Sequence, residues 1–255
     1  LVISSLTGLT IGAVVSLVAN VFVNGIRYFE ALRLDLILKF SSFQSSEFII
    51  PFAWLAIGFT LVFVIKKVLG CTSWQGPADA IYCAHRPDRN MDIRQGFGTV
   101  MAAFTSLSAG ASLGQYGPIV HMGALIGGLF RKYNLSSVGL SNDIFLGCGV
   151  AAAISAGFQA PIAGVIFAHE AILRHFSLRA VAPISISSIC AASVGEWLNL
   201  SENILILNFA PEPLIQQVPA LLIGGFIFSV IAVFVMQSTL NGIAAVNKLN
   251  LNIVY

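Results

Sequence analysis

The chain has 255 residues, of which 57% are hydrophobic and only 9% are charged, and its formal net charge is +2. A soluble domain carries about 25% charged residues, so water is not the main solvent around this chain. The net charge is too small, and the 13 Lys and Arg residues are too scattered, for a nucleic-acid-binding surface. We therefore expect an all-α integral membrane protein without a nucleic-acid partner.

Two apolar runs near the start of the chain are each long enough to cross a membrane. Residues 1–29 and 48–69 both reach the length of about 20 residues that a hydrocarbon core of about 30 Å requires. The second run ends in Lys66 and Lys67, as expected for charges that flank a membrane span. Both runs are predicted to be spanning helices.

Between residues 76 and 195 the pattern changes to shorter apolar stretches separated by Gly and Pro clusters. Inside a bilayer, irregular backbone is tolerated only where it is buried in protein or lines a watery cavity. Broken helices beside a pathway are therefore predicted. The predicted helices cover residues 76–86, 94–109, 117–132, 142–158, 160–175 and 178–198, followed by a long helix from 218 to about 248.

The basic residues predict an orientation in the membrane, because cytoplasmic loops carry an excess of Lys and Arg. The other basic residues favour one orientation in the membrane, which Arg27, Arg33 and Lys39 do not fit. The residues expected on the cytoplasmic side are Lys66, Lys67, Arg86, Arg89, Arg94, Arg174 and Arg179.

Three junctions that contain proline begin predicted helices within this region, at residues 75–77, 114–118 and 158–161. Glycine permits a tight backbone, and proline suits the first turn of a helix. Each helix N-terminus offers unpaired N–H groups and about half a positive charge, which together can bind an anion. No Lys or Arg lies in the core of these segments, where a full charge would hold an ion too tightly for rapid release. The alternative is that each junction is an ordinary turn.

Residues 114–124, Gly-Gln-Tyr-Gly-Pro-Ile-Val-His-Met-Gly-Ala, resemble the Gly-x-Glu-Gly-Pro segment of the CLC chloride channel and transporter family. Residues 149–167 are Ala-rich and then read Phe-Gln-Ala-Pro-Ile-Ala-Gly, which is similar to the family's Phe-Asn-Ala-Pro-Leu-Ala-Gly segment. Residues 73–77 match the family's Gly-Ser-Gly-Ile-Pro segment only weakly, with its ion-binding serine falling near Trp74 or Gln75.

The resemblance implies a broken-helix fold of two inverted repeats, with the first repeat at residues 1–200 and a loop and the opening helix of the second at 201–255. It also implies a bound chloride ion, no other cofactor, and a homodimer formed through residues 162–167 and 180–194. We expect a multi-pass protein of a bacterial plasma (inner) membrane. The expected anion pathway comprises Gln75, Gly76, Pro77, Gly114, Gln115, Tyr116, Gly117, Pro118 and Ile119.

Tyr116 occupies the position of the family's gating glutamate, and it is our candidate for the gate. A tyrosine phenol titrates only at alkaline pH, so it can occlude the path or donate a hydrogen bond but cannot imitate a competing carboxylate. The position of the family's inner proton glutamate falls on Ala171, with Glu170 one residue earlier as a weaker candidate for a proton path. Both departures favour passive anion conduction over exchange with protons.

Two other functions remain possible from the sequence: an anion/proton or fluoride-type exchanger of the same family that uses another acid, and a non-conducting membrane scaffold. An enzyme is not expected, because Leu173 stands where a zinc-protease helix beginning at His169 needs its second histidine. The four cysteines have no metal-ligand spacing, and neither a metal site nor a disulfide is predicted. Asp79 and Asp143 are predicted to cap helices. His121 lies just over one turn beyond Tyr116, where it could face the pathway, but a packed and hydrogen-bonded histidine is the favoured prediction.

Overall fold

The computed structural model describes residues 2–39, 46–86, 90–112, 114–132, 140–198 and 213–248, and the regular secondary structure in these ranges is helical. The chain forms two compact units, Leu1–Glu202 and Asn203–Tyr255. In the described part of the second unit, one helix, α9, covers Leu214–Lys248. The helices of the first unit are α1 Val2–Lys39, α2 Ser46–Leu69, α3 Pro77–Ala84, α4 Ile93–Ser108, α5 Tyr116–Lys132, α6 Asn142–Phe158, α7 Pro161–Phe167 and α8 Leu178–Trp197.

The observed helices agree with the all-α prediction and differ from the predicted ones mainly at two places. Helix α1 continues to Lys39, ten residues beyond the predicted span. The helix predicted at 160–175 is divided: α7 ends at Phe167, and a π-helical turn, Ala168–Leu173, follows. Arg174 then ends the helix in the left-handed region, with φ 56°. A residue in this conformation cannot continue a right-handed helix.

The helices fall into two length classes, as the broken-helix prediction requires. Helices α1, α2, α8 and α9 are long and apolar enough to cross a membrane. By contrast, α3 has eight residues, and α7 together with the π-helical turn that continues it covers 13 residues, Pro161–Leu173. At about 1.5 Å per residue, these lengths correspond to about 12 and 20 Å, less than a bilayer core of about 30 Å. Both helices must therefore begin or end inside the protein.

Helix α4 separates two faces of the first unit. At its first turn, the guanidinium of Arg94 lies against Gly70, just beyond the end of α2. Past its last turn, the guanidinium of Arg33 lies against Gly110. The 16 residues of α4 separate these two arginines by about 24 Å at the rise of an α-helix. Arg33 did not fit the orientation predicted from the other basic residues because it lies at the opposite face. Which of the two faces is cytoplasmic stays a prediction.

The segment between α2 and α3 turns back into the protein along α4. The Ser73 hydroxyl donates to the side chain of Gln95 (2.8 Å), and the Gln75 N–H donates to Thr99 (2.9 Å), one turn further along α4. Helix α3 then returns toward the first face, where the Cys83 carbonyl accepts a hydrogen bond from the first residue of α6 (3.1 Å). This re-entrant path explains why α3 begins inside the protein.

Glycines bring α5 and α6 into backbone contact. A methyl group on Gly123 would collide with the carbonyl of Gly149, and one on Gly127 would collide with the carbonyl of Phe145. Helix α1 approaches α8 in the same way, with Gly8 against the Pro183 carbonyl. Small residues at helix crossings permit the close van der Waals packing that holds membrane helices together, because lipid tails supply no hydrophobic driving force between helices.

Buried serines add hydrogen bonds between the same helices. The Ser155 hydroxyl on α6 donates to the carbonyl of Ser188 on α8 (2.5 Å), and the Ser187 hydroxyl donates to the carbonyl of Cys148 (3.0 Å). Helix α1 joins this group through Ser16, which donates to a carbonyl of α8 (2.9 Å). Each such bond contributes about 0.6 kcal/mol on average in a membrane protein, so the set stabilises the arrangement of α1, α6 and α8.

Candidate functional site

An open cavity of about 520 Å³ lies in the first unit where three helices begin. Pro77 is at the start of α3, Tyr116 and Gly117 are at the start of α5, and Ala160 immediately precedes α7. The three helix starts that the sequence pattern singled out therefore lie on one cavity. Its remaining described lining residues are Val120, Ile154, Phe158, Ala163 and Phe167.

The start of α5 lines this cavity and carries backbone donors. The N–H groups of Tyr116 and Gly117 have no acceptor among the described residues. Pro118 has no N–H, and the next N–H, that of Ile119, donates to the carbonyl of Gln115 (3.3 Å). The first turn of α5 thus presents two N–H groups together with the positive end of the helix dipole.

The glycines at this start are not required by packing. A methyl group on Gly114 or Gly117 would meet no atom within 4 Å. Both glycines therefore leave open space beside the backbone. Of the nine predicted pathway residues, three line the cavity: Pro77, Tyr116 and Gly117. The other six are not among its described lining residues: Gln75, Gly76, Gly114, Gln115, Pro118 and Ile119. The side chain of Ile119 is 0% exposed and belongs to the hydrophobic core. The side chain of Ile119 points into the core because it follows the apolar face of α5.

The start of α3 has fewer free donors than the sequence predicts. The N–H of Gln75 donates to Thr99 (2.9 Å), and the N–H of Gly76 donates to the Asp79 carboxylate (2.7 Å). Asp79 accepts that bond as the third residue of a capping box, which agrees with its predicted capping role. In the first turn, Ala78 keeps an N–H group without an acceptor among the described residues. Helix α5 is thus the stronger source of donors.

Tyr116 is held by aromatic stacking. Its ring lies on that of Phe158, with centroids 4.0 Å apart and planes inclined by 22°. The ring also lies over Gly157, where a methyl group would come within 3.1 Å of a ring carbon. Among the described residues the Tyr116 hydroxyl has no hydrogen-bond partner. The aromatic ring is therefore supported on one face, and the hydroxyl remains available to a ligand.

The sequence reasoning missed the apolar wall of the cavity. It treated Phe158 only as part of a helix start, although this residue supports Tyr116. Ile154 and Phe158 are four residues apart on α6, and Ala163 and Phe167 are four apart along α7. This spacing places each pair on one helix face, so the apolar wall could have been predicted from the sequence. Thr99, whose hydroxyl engages Gln75, had no comparable signal.

Glu170 does not reach the Tyr116 cavity. It is exposed in the π-helical turn and lines a separate cleft of about 350 Å³ with His169, Arg174 and His175. In the same turn, Ala171 is only partly buried. The proposed proton role of Glu170 stays a prediction, and this geometry gives it no connection to the helix starts.

His121 connects α5 to the start of α3. Its side chain is 1% exposed, and Nδ1 lies 2.9 Å from the carbonyl oxygen of Gly76. Because a carbonyl oxygen only accepts, the imidazole donates this bond. The prediction that His121 is packed and hydrogen-bonded is confirmed. This bond fixes the position of the α3 start relative to α5.

The family to which the chain belongs follows from sequence comparison. A family model described as "Voltage gated chloride channel" matches residues 53–255. The chain belongs to this CLC family. It is 26% identical over 140 residues to a ClcB-like chloride channel protein of Ralstonia nicotianae, covering 54% of this chain and 32% of that protein. It is 30% identical over 130 residues to the human H(+)/Cl(-) exchange transporter 5, covering 48% of this chain and 16% of that protein.

A solved structure shows the CLC fold. The crystal structure of a CLC-type fluoride/proton antiporter matches with a TM-score of 0.67 and 23% sequence identity, covering 89% of this chain and 55% of that one. The predicted CLC-type fold is therefore confirmed, and this CLC chain is an integral membrane protein. The chain spans only part of its relatives, about a third of the ClcB-like protein and about half of the antiporter.

Proposed function

We propose that the full-length protein transports chloride or a similar small anion across a membrane, along a path that passes the start of α5. The observation that carries this proposal is the pair of N–H groups on Tyr116 and Gly117, two residues that line the cavity, which have no acceptor among the described residues. The names of the two curated relatives, a chloride channel and an H(+)/Cl(-) exchange transporter, support the choice of chloride.

The energetics of the cavity suit an ion that must bind and leave again. Moving an unpaired ion out of water costs tens of kcal/mol by Born estimates, so donors must replace its hydration. The described lining of this cavity is apolar and contains no Lys or Arg side chain. N–H dipoles act more strongly in such surroundings than in water, yet they lack the full charge that would trap the anion.

Passive conduction is the finer part of the proposal. Tyr116 has no carboxylate that would compete with the anion or carry a proton. Its ring, held against Phe158, stands at the cavity as a neutral gate, and its hydroxyl is able to donate to a passing anion. Glu170 lies in another cleft. Neither residue therefore provides a proton route beside the anion.

Proton-coupled exchange is the second candidate. It is favoured by the names of two similar proteins, the human H(+)/Cl(-) exchange transporter and the fluoride/proton antiporter. An exchanger of this kind would need an acid other than a gating carboxylate at position 116. Direct measurement of proton movement separates the two candidates.

The proposed assembly is a homodimer in a bacterial inner membrane. Helices α7 and α8 expose apolar side chains, among them Ile162 (76%), Ile166 (55%) and Ile189 (56%). Small residues accompany them on both helices, and such faces pack against other membrane helices. A second copy of the chain is the partner that the family resemblance implies.

The test uses full-length protein reconstituted in liposomes, with chloride efflux and internal pH recorded together. We expect chloride efflux without proton movement when a chloride gradient is the only driving force. Tyr116→Glu should make the flux depend on pH, because a carboxylate then competes with the anion when it is ionised. Tyr28→Ala is the matched control: this tyrosine is 67% exposed on α1 and does not line the cavity.

Each outcome has a distinct meaning. An absence of chloride flux with or without a pH gradient would overturn anion transport and leave a scaffold role. Proton movement driven by the chloride gradient would overturn passive conduction in favour of exchange. Equal flux in the wild type, Tyr116→Ala and Tyr28→Ala proteins would remove Tyr116 from the gate.

A further inference from the structure

A basic cleft at the face where α2 and α5 end is separate from the proposed anion path. It consists of two adjoining cavities, an inner one of about 160 Å³ and an outer one of about 570 Å³. Asn90, Met91, Ile93 and Lys132 line both cavities. Because the two cavities share these walls, one elongated molecule is able to occupy both.

The inner part of the cleft has an apolar wall beside polar residues. The apolar wall consists of Met91, Ile93, Leu125, Gly128 and Leu146, and the polar lining residues are Asn90, Arg131, Lys132 and Asn142. Gly128 leaves space beside α5: a methyl group there would meet only the side chain of Leu146, at an ordinary contact distance of 3.7 Å. The apolar wall is suited to a hydrocarbon segment, and the two cations of the same cavity are suited to an anionic group.

The outer part of the cleft carries positive charge. Arg94 and Lys132 line it, and Arg131 lines the adjoining inner cavity. The Arg131 guanidinium donates to Asn90 (2.9 Å), which holds it beside the cleft. Asp92 is the one carboxylate among the described lining residues, and it already accepts hydrogen bonds from the backbone N–H groups of Arg94 and the next residue (3.0 and 3.2 Å). Three cations and one engaged carboxylate leave the cleft cationic.

We propose that this cleft binds an anionic phospholipid, with the phosphate at Arg94 and Lys132 and the upper part of an acyl chain in the inner cavity. The cleft lies at the level where Lys66 and Lys67 end the spanning helix α2, which is the level of lipid head groups. Basic pockets between membrane helices are recurring sites for anionic head groups. Free phosphate shares the head-group chemistry, but it would leave the apolar wall of the inner cavity without a partner.

Three variants separate the parts of this proposal. Lys132→Gln removes a cation from the cleft. Gly128→Val adds apolar bulk to the inner cavity without a change in charge, and its Cβ would meet only the side chain of Leu146. Lys67→Gln is the matched control, because Lys67 is an exposed lysine at the same face that does not line the cleft.

The experiment measures binding of phosphatidylglycerol and phosphatidylcholine to the full-length protein in detergent, by native mass spectrometry at several lipid concentrations. One basic residue near an anionic lipid surface contributes about 1 kcal/mol, which corresponds to roughly a fivefold change in affinity. We expect Lys132→Gln to weaken phosphatidylglycerol binding by about that factor. Gly128→Val should weaken it as well, and Lys67→Gln should leave it unchanged.

Three results would overturn the proposal. Equal binding of the two lipids by the wild-type protein would exclude charge recognition. An equal loss in Lys67→Gln and Lys132→Gln would indicate diffuse attraction rather than a site. Inorganic phosphate that binds with no dependence on position 128, while phosphatidylglycerol does not bind, would identify a site for free phosphate. Thermal stability of each variant, recorded in parallel, shows whether the fold is intact.

Discussion

Replacing Gly123 with alanine should force α5 and α6 apart. The added methyl would lie 2.8 Å from the side chain of Ala153 and would collide with the Gly149 carbonyl oxygen. Nonbonded carbon atoms pack at about 3.5–4.0 Å, so the two helices would have to separate by roughly 1 Å at this point. Neither contact partner is the end of a flexible side chain, and the strain therefore cannot be relieved by a rotamer change.

The expected loss of stability follows from this geometry. Overpacking of a well-packed core typically costs about 1–3 kcal/mol, and alanine recovers up to about 1 kcal/mol of helix propensity relative to glycine. With the full recovery, Gly123→Ala should lower the free energy of unfolding by up to about 2 kcal/mol. Gly149→Ala should act similarly, because its methyl would collide with the Gly123 carbonyl. The double variant should lose less than the sum, since one separation of the helices relieves both collisions.

Gly128→Ala is the matched control on the same helix, because its methyl meets only Leu146 at 3.7 Å. The free energy of unfolding of the full-length protein should be measured by titration with a denaturing detergent, for the single variants and the double variant. The reasoning is refuted if Gly123→Ala and Gly128→Ala are equally stable. Strict additivity of Gly123→Ala and Gly149→Ala would also contradict a shared helix contact.

Three further predictions concern the helix starts and the serine contacts. Asp79→Ala should destabilise the start of α3 by about 0.5–2 kcal/mol through loss of the bond from Gly76, whereas Asp79→Asn keeps an acceptor and should be milder; thermal stability of the two variants tests this. His121→Leu should reduce anion flux more than His121→Asn, because an asparagine amide is able to donate to the Gly76 carbonyl; equal fluxes would contradict it. Ser187→Ala should cost about 0.6 kcal/mol, measurably more than Ser193→Ala, whose hydroxyl is exposed and bonds within its own helix.

Much of the fold was predictable because lipid imposes strict rules on the chain. The apolar runs at 1–29 and 48–69 and the Gly-Pro breaks between them and α8 are local signals that lengths and composition reveal. The π-helical turn at Ala168–Leu173 was not predictable, because its sequence contains no Gly or Pro that would mark a departure from an ordinary helix. The re-entrant segment before α3 was also hidden, since it depends on hydrogen bonds to α4.

The sequence predicted which helix starts form the candidate site, but it did not predict which of their N–H groups already have an acceptor. The prolines at residues 77, 118 and 161 mark helix starts, and the structure places all three starts at one cavity. Spacing cannot show that the Gln75 N–H is already engaged by Thr99, because these residues are far apart in sequence. The stacking of Tyr116 on Phe158 is likewise a long-range contact.

The start and the middle of α5 have complementary roles. At Gly117 the absence of a side chain leaves the backbone open to the cavity, whereas at Gly123 it lets the backbone of α6 approach. The two glycines are six residues apart, about 9 Å along the helix. N–H donors stabilise an ion best when they are already in position, because moving them into position as the ion binds would cost free energy. The contact of Gly123 with Gly149 therefore holds the donors at the cavity, and loosening this helix crossing should weaken anion flux even in protein that remains folded.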